Sequence, residues 1–174
     1  MTLFSRNVLA LLAFFMSSTA LAAETWAQGR VTLHACVYAH TYEAQVELNY
    51  RNYDLPWGTS VYLIHGWGGI DNETTTFDWD NTQTIEVFAS APWTWSTTVS
   101  SIVSTRTGTR RYEHLDFVWK VVLPNGHEFY EKGNNSTWGY YAASLASVGE
   151  RPCTSDGNFV GPMYPLSVPS IVKW

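Results

Sequence analysis

The sequence predicts an all-β protein, an antiparallel β-sandwich that follows a cleaved signal peptide. Apolar residues recur with period two in several separate segments, whereas helix-period patterns are scarce after Glu24. Turn signals rich in Gly, Pro and Asn separate about eight short strand candidates at regular spacing.

The leader comes first. Arg6 and the amino terminus form a positive n-region, Val8–Met16 an apolar stretch, and Ala20-Leu21-Ala22 a small-x-small cleavage pattern. The apolar stretch is too short to cross a bilayer core as a helix. The expected organisation is a signal peptide over 1–22, a β-domain over 23–148 and an irregular Pro-rich tail over 149–174. Secreted or periplasmic residence follows, with no transmembrane segment after cleavage.

Within the β-domain, Val31, Leu33, Ala35 and Val37 alternate with Thr32, His34 and Cys36 as a first strand. In Tyr42–Tyr50 the row Tyr42, Ala44, Val46, Leu48, Tyr50 is apolar and the row Glu43, Gln45, Glu47, Asn49 is wet. Asp54-Leu55-Pro56-Trp57-Gly58 is a turn, and Thr59–His65 follows as an apolar strand. Gly66-Trp67-Gly68-Gly69 breaks it, and 70–83 reads as a polar loop. Thr84–Ala89 and Ser96–Val103 are further strands, with Thr105–Arg111 a polar hairpin or loop. His114–Leu123 is the strongest core strand, with Leu115, Phe117, Trp119 and Val121 on one face. Pro124-Asn125-Gly126 turns the chain back into His127–Glu131. Trp138–Ala146 is a last strand or a short helical turn.

Composition narrows the function. Cleavage removes Arg6 and leaves nine basic residues against fifteen acidic ones, which argues against nucleic acid or an anionic membrane as partner. Cys36 and Cys153 make an even pair that an exported chain usually joins as a disulfide, two buried thiols being the alternative. The five histidines show no metal-ligand spacing, and no GxSxG turn or phosphate-binding loop occurs. No cofactor, metal or catalytic residue is expected. The chain carries nine Trp, ten Tyr and eight Phe, and all nine Trp lie in the mature part. A domain this small cannot easily bury them all, so some are expected at the surface for recognition.

The chemistry left is aromatic stacking with short polar side chains. A sugar ring offers an apolar C–H face to an indole and a rim of hydroxyls to amides and acids. His65-Gly66-Trp67, extending to Trp79, and Phe129–Trp138, with Asn134 and Asn135 in its turn, have this makeup. Trp119 belongs instead to a core row.

The run VELNYRNYDLPWGTSVYLIHGWGG (46–69), the polar loop with Trp79, the strand WTWSTTV (93–99) and LDFVWKVVLPNGHEFYEKGNN (115–135) resemble the starch-binding carbohydrate-binding modules of families 25 and 26. The resemblance covers about residues 44–141. It implies an immunoglobulin-like sandwich that binds α-glucan, a polysaccharide partner, without cleaving it. By position, His65 matches the family's His/Tyr before the glycine turn, and Trp67 or Trp79 a stacking platform. Asn134 and Asn135 match the amides of its terminal motif. That motif's Trp-Asp reads here as Tyr130-Glu131, with Lys132-Gly133 inserted, and Trp138 can replace the missing indole. The alternatives are an envelope protein whose sandwich docks other proteins and, less favoured, a small glycoside-active enzyme.

Overall fold

The computed structural model describes residues 23–34, 40–68, 80, 82–105, 114–133, 139–145, 159–160 and 162–172. These residues form two antiparallel sheets and no α-helix, which is the expected all-β sandwich. None of the described residues belongs to a helix long and apolar enough to cross a membrane. The signal segment, Cys36 and Cys153 lie outside the described residues.

The strands are β1 (Glu24–His34), β2 (His40–Arg51), β3 (Ser60–Gly68), β4 (Gln83–Val87), β5 (Ala89–Ala91) and β6 (Thr94–Thr105). They continue with β7 (His114–Val122), β8 (Glu128–Glu131), β9 (Gly139–Ser144), β10 (Phe159–Val160), β11 (Tyr164–Leu166) and β12 (Ser170–Val172). One sheet runs β10-β1-β2-β6-β5, with β11 also on β1. The other runs β12-β9-β7-β3-β4, with β8 also on β7. The inner orders β1-β2-β6-β5 and β9-β7-β3 reproduce the A-B-E-D and G-F-C orders of an immunoglobulin-type sandwich, with β4 added beside C. The G position is split. β8 covers Trp119–Val122 of β7 and β9 covers His114–Phe117, with 132–138 between them in sequence.

Period two decides which side chains enter the core. Val46, Leu48 and Tyr50 of β2 meet Leu63 of β3 and Leu115, Phe117, Trp119 and Val121 of β7 in one cluster. Tyr50 reaches across the sheets to stack on Trp119 at 5.5 Å, and Phe117 stacks on Tyr141 at 5.3 Å. Aromatic pairs of this kind add about 0.5–1.5 kcal/mol each beyond the area they bury. Trp119 is fully buried, as its row predicts, and its indole N–H donates to Thr25 Oγ1 at 3.2 Å. Burial raises the phenol of Tyr141 to about 12 and that of Tyr50 further, so both stay protonated inside.

β3 runs on through Gly66, Trp67 and Gly68, where the sequence suggested a break, because all three pair with β7. Two further elements differ from the sequence expectation. The first strand begins at Glu24, seven residues before its apolar row becomes visible. Its inner positions there are Ala27 and Gly29, too small to register as a hydrophobic signal. Gly29 is small for a reason: a Cβ at that position would stand 2.7 Å from Leu166 Cδ1. The second difference is the tail, which is not wholly irregular. β10 and β11 pair with β1, and β12 pairs with β9 of the other sheet, so these three strands fasten one lateral edge of the sandwich. Ala142 N donates to Pro169 O and Ser144 N to Ser167 O, extending the attachment. Leu166 is buried in the core. Pro165 sits on this outermost strand, where a residue without an N–H is tolerated.

Candidate functional site

Of the residues singled out in the sequence, His65, Trp67 and Tyr130 lie among the described residues, on two faces of one sheet. His65 faces inward on β3, between Phe117 of β7 and Gln83 of β4, and is 3% exposed. Its Nδ1 is buried without a hydrogen-bond partner, and desolvation lowers its pKa, so it is held as neutral imidazole. Trp67 lies on the same inner row opposite Leu115 and packs partly buried against the core. Tyr130 is well exposed, but it lies opposite Lys120 on the outer face of the same sheet. Alternation therefore turns Tyr130 away from His65 and Trp67. Trp79, Asn134, Asn135 and Trp138 lie outside the described residues.

Exposed rings gather elsewhere. The β2–β3 loop (52–59), the β5–β6 turn (92–93) and the β7–β8 turn (123–127) share one end of the sandwich, as the B–C, D–E and F–G connections do in this topology. Six large hydrophobic residues among those described are exposed, and Tyr53, Trp57, Phe88 and Trp93 are at this end. Trp57 is 93% exposed. Between the loops lies a cleft of about 420 Å³, lined by Pro56, Trp57, Thr59, Ala91, Pro92 and Trp93 among others. It falls in the range of about 300–1,000 Å³ usual for small-molecule sites.

Local chemistry sets each ring. Asn52 Oδ1 accepts from Asp54 N at 2.9 Å, folding the start of the loop as an Asx turn. Leu55 then plugs into the core. Thr59 N donates to Pro56 O, and Gly58 has φ +85°, which identifies a type II turn with Trp57 at its second position. An indole at the corner of such a turn has no core to enter.

Trp93 is the unusual residue. Its φ of 55° is left-handed, which costs a non-glycine residue about 1–2 kcal/mol. Two hydrogen bonds hold it there. Asn52 N donates to Trp93 O at 3.1 Å, and Trp93 Nε1 donates to Leu55 O at 3.2 Å. Each is worth about 0.5–1.5 kcal/mol, enough together to offset the strain. The ring also stands 6.2 Å from Tyr53. Both loops are thus tied to one another with Trp93 as the tie.

Asp54 is the one Asp, Glu, Lys or Arg in 52–59, 88–94 and 123–127, with His127 the one histidine, so the cleft carries little charge. No group of three or more metal-ligating side chains occurs among the described residues. A histidine–carboxylate pair does occur, His114 Nδ1 to Asp116 Oδ1 at 2.9 Å, but at the start of β7, far along the strand from this end. Desolvation raises the pKa of the buried Asp116 and the His114 bond opposes that rise. The cleft itself can stack a flat apolar surface and offers Thr59 at its margin.

Sequence reasoning missed Tyr53, Trp57 and Trp93 because it sought rings beside amides and histidines. The signal was present in another form. Pro56-Trp57-Gly58 and Pro92-Trp93 put indoles inside turns, where no alternating strand face can bury them. No family model matches the chain, and neither the curated proteins nor the solved structures contain a match to it.

Proposed function

We propose that the protein is an exported, non-catalytic carbohydrate-binding domain that holds an uncharged glycan at its loop end. The observation that carries this reading is Trp93, kept in a strained backbone conformation with its indole pinned to Leu55 O, beside the open ring of Trp57. Backbone strain of this kind clusters at ligand clamps and other functional sites, which supports a binding role for Trp93. Stacking provides the affinity, and the rim polar groups orient the sugar. The resemblance to starch-binding modules makes an α-glucan the first ligand to try. Affinity electrophoresis through starch and glycogen gels, backed by a glycan array, tests the reading. Retardation that Trp57→Ala and Trp93→Ala each abolish supports it.

A second reading rests on Phe88, 77% exposed between β4 and β5, where an apolar ring suits a protein partner better than a sugar rim. A stable oligomer on sizing, with no retardation by any polysaccharide, favours that reading and overturns the first.

A further inference from the structure

The outer face of the β1-β2-β6 sheet continues the cleft. Its side chains fall in rows set by the registers: Glu24, Arg51 and Thr94, then Trp26, Asn49 and Ser96, then Gln28, Glu47 and Thr98. The first row adjoins the β2–β3 loop and the β5–β6 turn that bound the cleft. Successive rows on one face lie about 6.5–7 Å apart, the scale of one sugar residue.

The strip is joined to the cleft by ring contacts. Trp93 stands 6.2 Å from Tyr53, the Arg51 guanidinium lies 5.5 Å from the Tyr53 ring, and the same guanidinium lies 5.2 Å from the Trp26 ring. Glu24 pairs with Arg51, neutralising the one cation of the ladder. Trp26 is thus an indole on a face whose neighbours are amides, hydroxyls and acids. Those neighbours are already ordered. Ser96 Oγ donates to Asn49 Oδ1 at 2.6 Å, Asn49 Nδ2 donates to Glu47 Oε1 at 3.4 Å, and Ser90 shares a hydrogen bond with Ser96 at 3.0 Å. Ser90 lies between Ala89 and Ala91, both of which line the cleft. A polar ribbon therefore runs from the cleft margin onto the sheet, parallel to the aromatic ladder.

From this continuity we infer that the ligand is a chain of several sugar residues, with one residue in the cleft and the following ones laid along the sheet face past Trp26. The inference rests on the carbohydrate reading of the cleft. The strip's balanced charge, with Arg51 paired to Glu24 and Arg30 bonded to Gln45, fits an uncharged polymer and gives an acidic one no free cationic row.

Isothermal titration with maltose and maltohexaose, and with cellobiose and cellohexaose, tests it on the full-length mature chain. The hexasaccharide of the series that binds should bind about tenfold or more tightly than its disaccharide. Trp26→Ala should remove most of that difference and leave disaccharide binding unchanged. Thr98→Lys, at an exposed position that should not disturb folding, should do the same by blocking the strip. Equal affinity for both lengths, or full hexasaccharide affinity in both variants, overturns the extended site while the cleft reading stands. No binding of either length in either series, confirmed by an empty glycan array, overturns both.

Discussion

The two lateral edges of the sandwich are built in opposite ways. At one edge, β1 and β9 would each end a sheet, and the chain's last strands cover both, with Leu166 and Val168 packing on the core. At the other, β4 and β5 are short, and β5 is exposed along its whole length as Ala89-Ser90-Ala91. Phe88 crosses between the sheets there and stays outside. The difference explains where the cleft is. Large apolar side chains fill the space at the fastened edge. Two alanines leave it unfilled at the open one, between the Pro56-Trp57 corner and Trp95. The fastened packing and the open cleft therefore lie at opposite edges of one small core.

The sharpest way to break this comparison is to make matched truncations at the two edges. Leu166→Ala should cost about 2–5 kcal/mol in urea denaturation, because a buried leucine leaves a cavity in a packed site. Phe88→Ala should change stability by less than about 0.5 kcal/mol, since its ring touches little but water. Equal losses would mean that the edges are not different in kind.

The next effect comes from His65, whose inner position borders β4 and so lies under the open edge. Its folded pKa is depressed below the ordinary 6.5 by desolvation. Its neutral form therefore contributes stability that is present above 6.5 and is lost as pH falls through the folded value. Denaturation midpoints should drop as pH is taken below 6.5, and His65→Leu should flatten that drop. Amide exchange should accelerate first in β4, not in β1.

Smaller still is Trp93→Gly. Relief of about 1–2 kcal/mol of left-handed strain and loss of an indole hydrogen bond of about 1 kcal/mol nearly cancel, so stability moves by about 1 kcal/mol or less. Glycan retention should nevertheless disappear in the affinity gel. Ala91→Leu should act in the same sense, closing the cleft to ligand with little change in melting temperature. Trp57→Ala should leave stability unaltered within about 0.5 kcal/mol, the smallest effect of the set, while abolishing retention.

Strands with one wet face were legible in the sequence. Tyr42–Tyr50 shows two rows, and β2 buries Ala44, Val46, Leu48 and Tyr50 of the apolar one, while Asn49 of the wet row is buried too, bonded to Glu47 and Ser96. His114–Leu123 also places Trp119 in the core, although its other face is covered as well, at Asp116 and Val118. The facing of His65 was not legible, because Tyr62 and Ile64 are as apolar as Val61 and Leu63 and a run apolar on both faces has no readable inside. The tail was hidden for another reason. Its strands are held by backbone pairing to an edge far away in sequence, and nothing in a Pro- and Ser-rich segment encodes that partner. The rings at the loop end were visible as letters. Only the topology, which brings three connections to one end, made them neighbours.

The distance in sequence between β1 and its outer partners has a consequence in time. Gly29 pairs with Tyr164 and Ala27 with Leu166, so one of the first strands completes its edge with one of the last. Closing so long a loop is slow, and until it closes β1 offers an unpaired backbone to any passing strand. The hazardous interval for this chain is thus late in folding, when both sheets exist and the fastening has not docked. Refolding at rising protein concentration should lose yield in that interval. A synthetic peptide of residues 159–172, added in excess, should restore it.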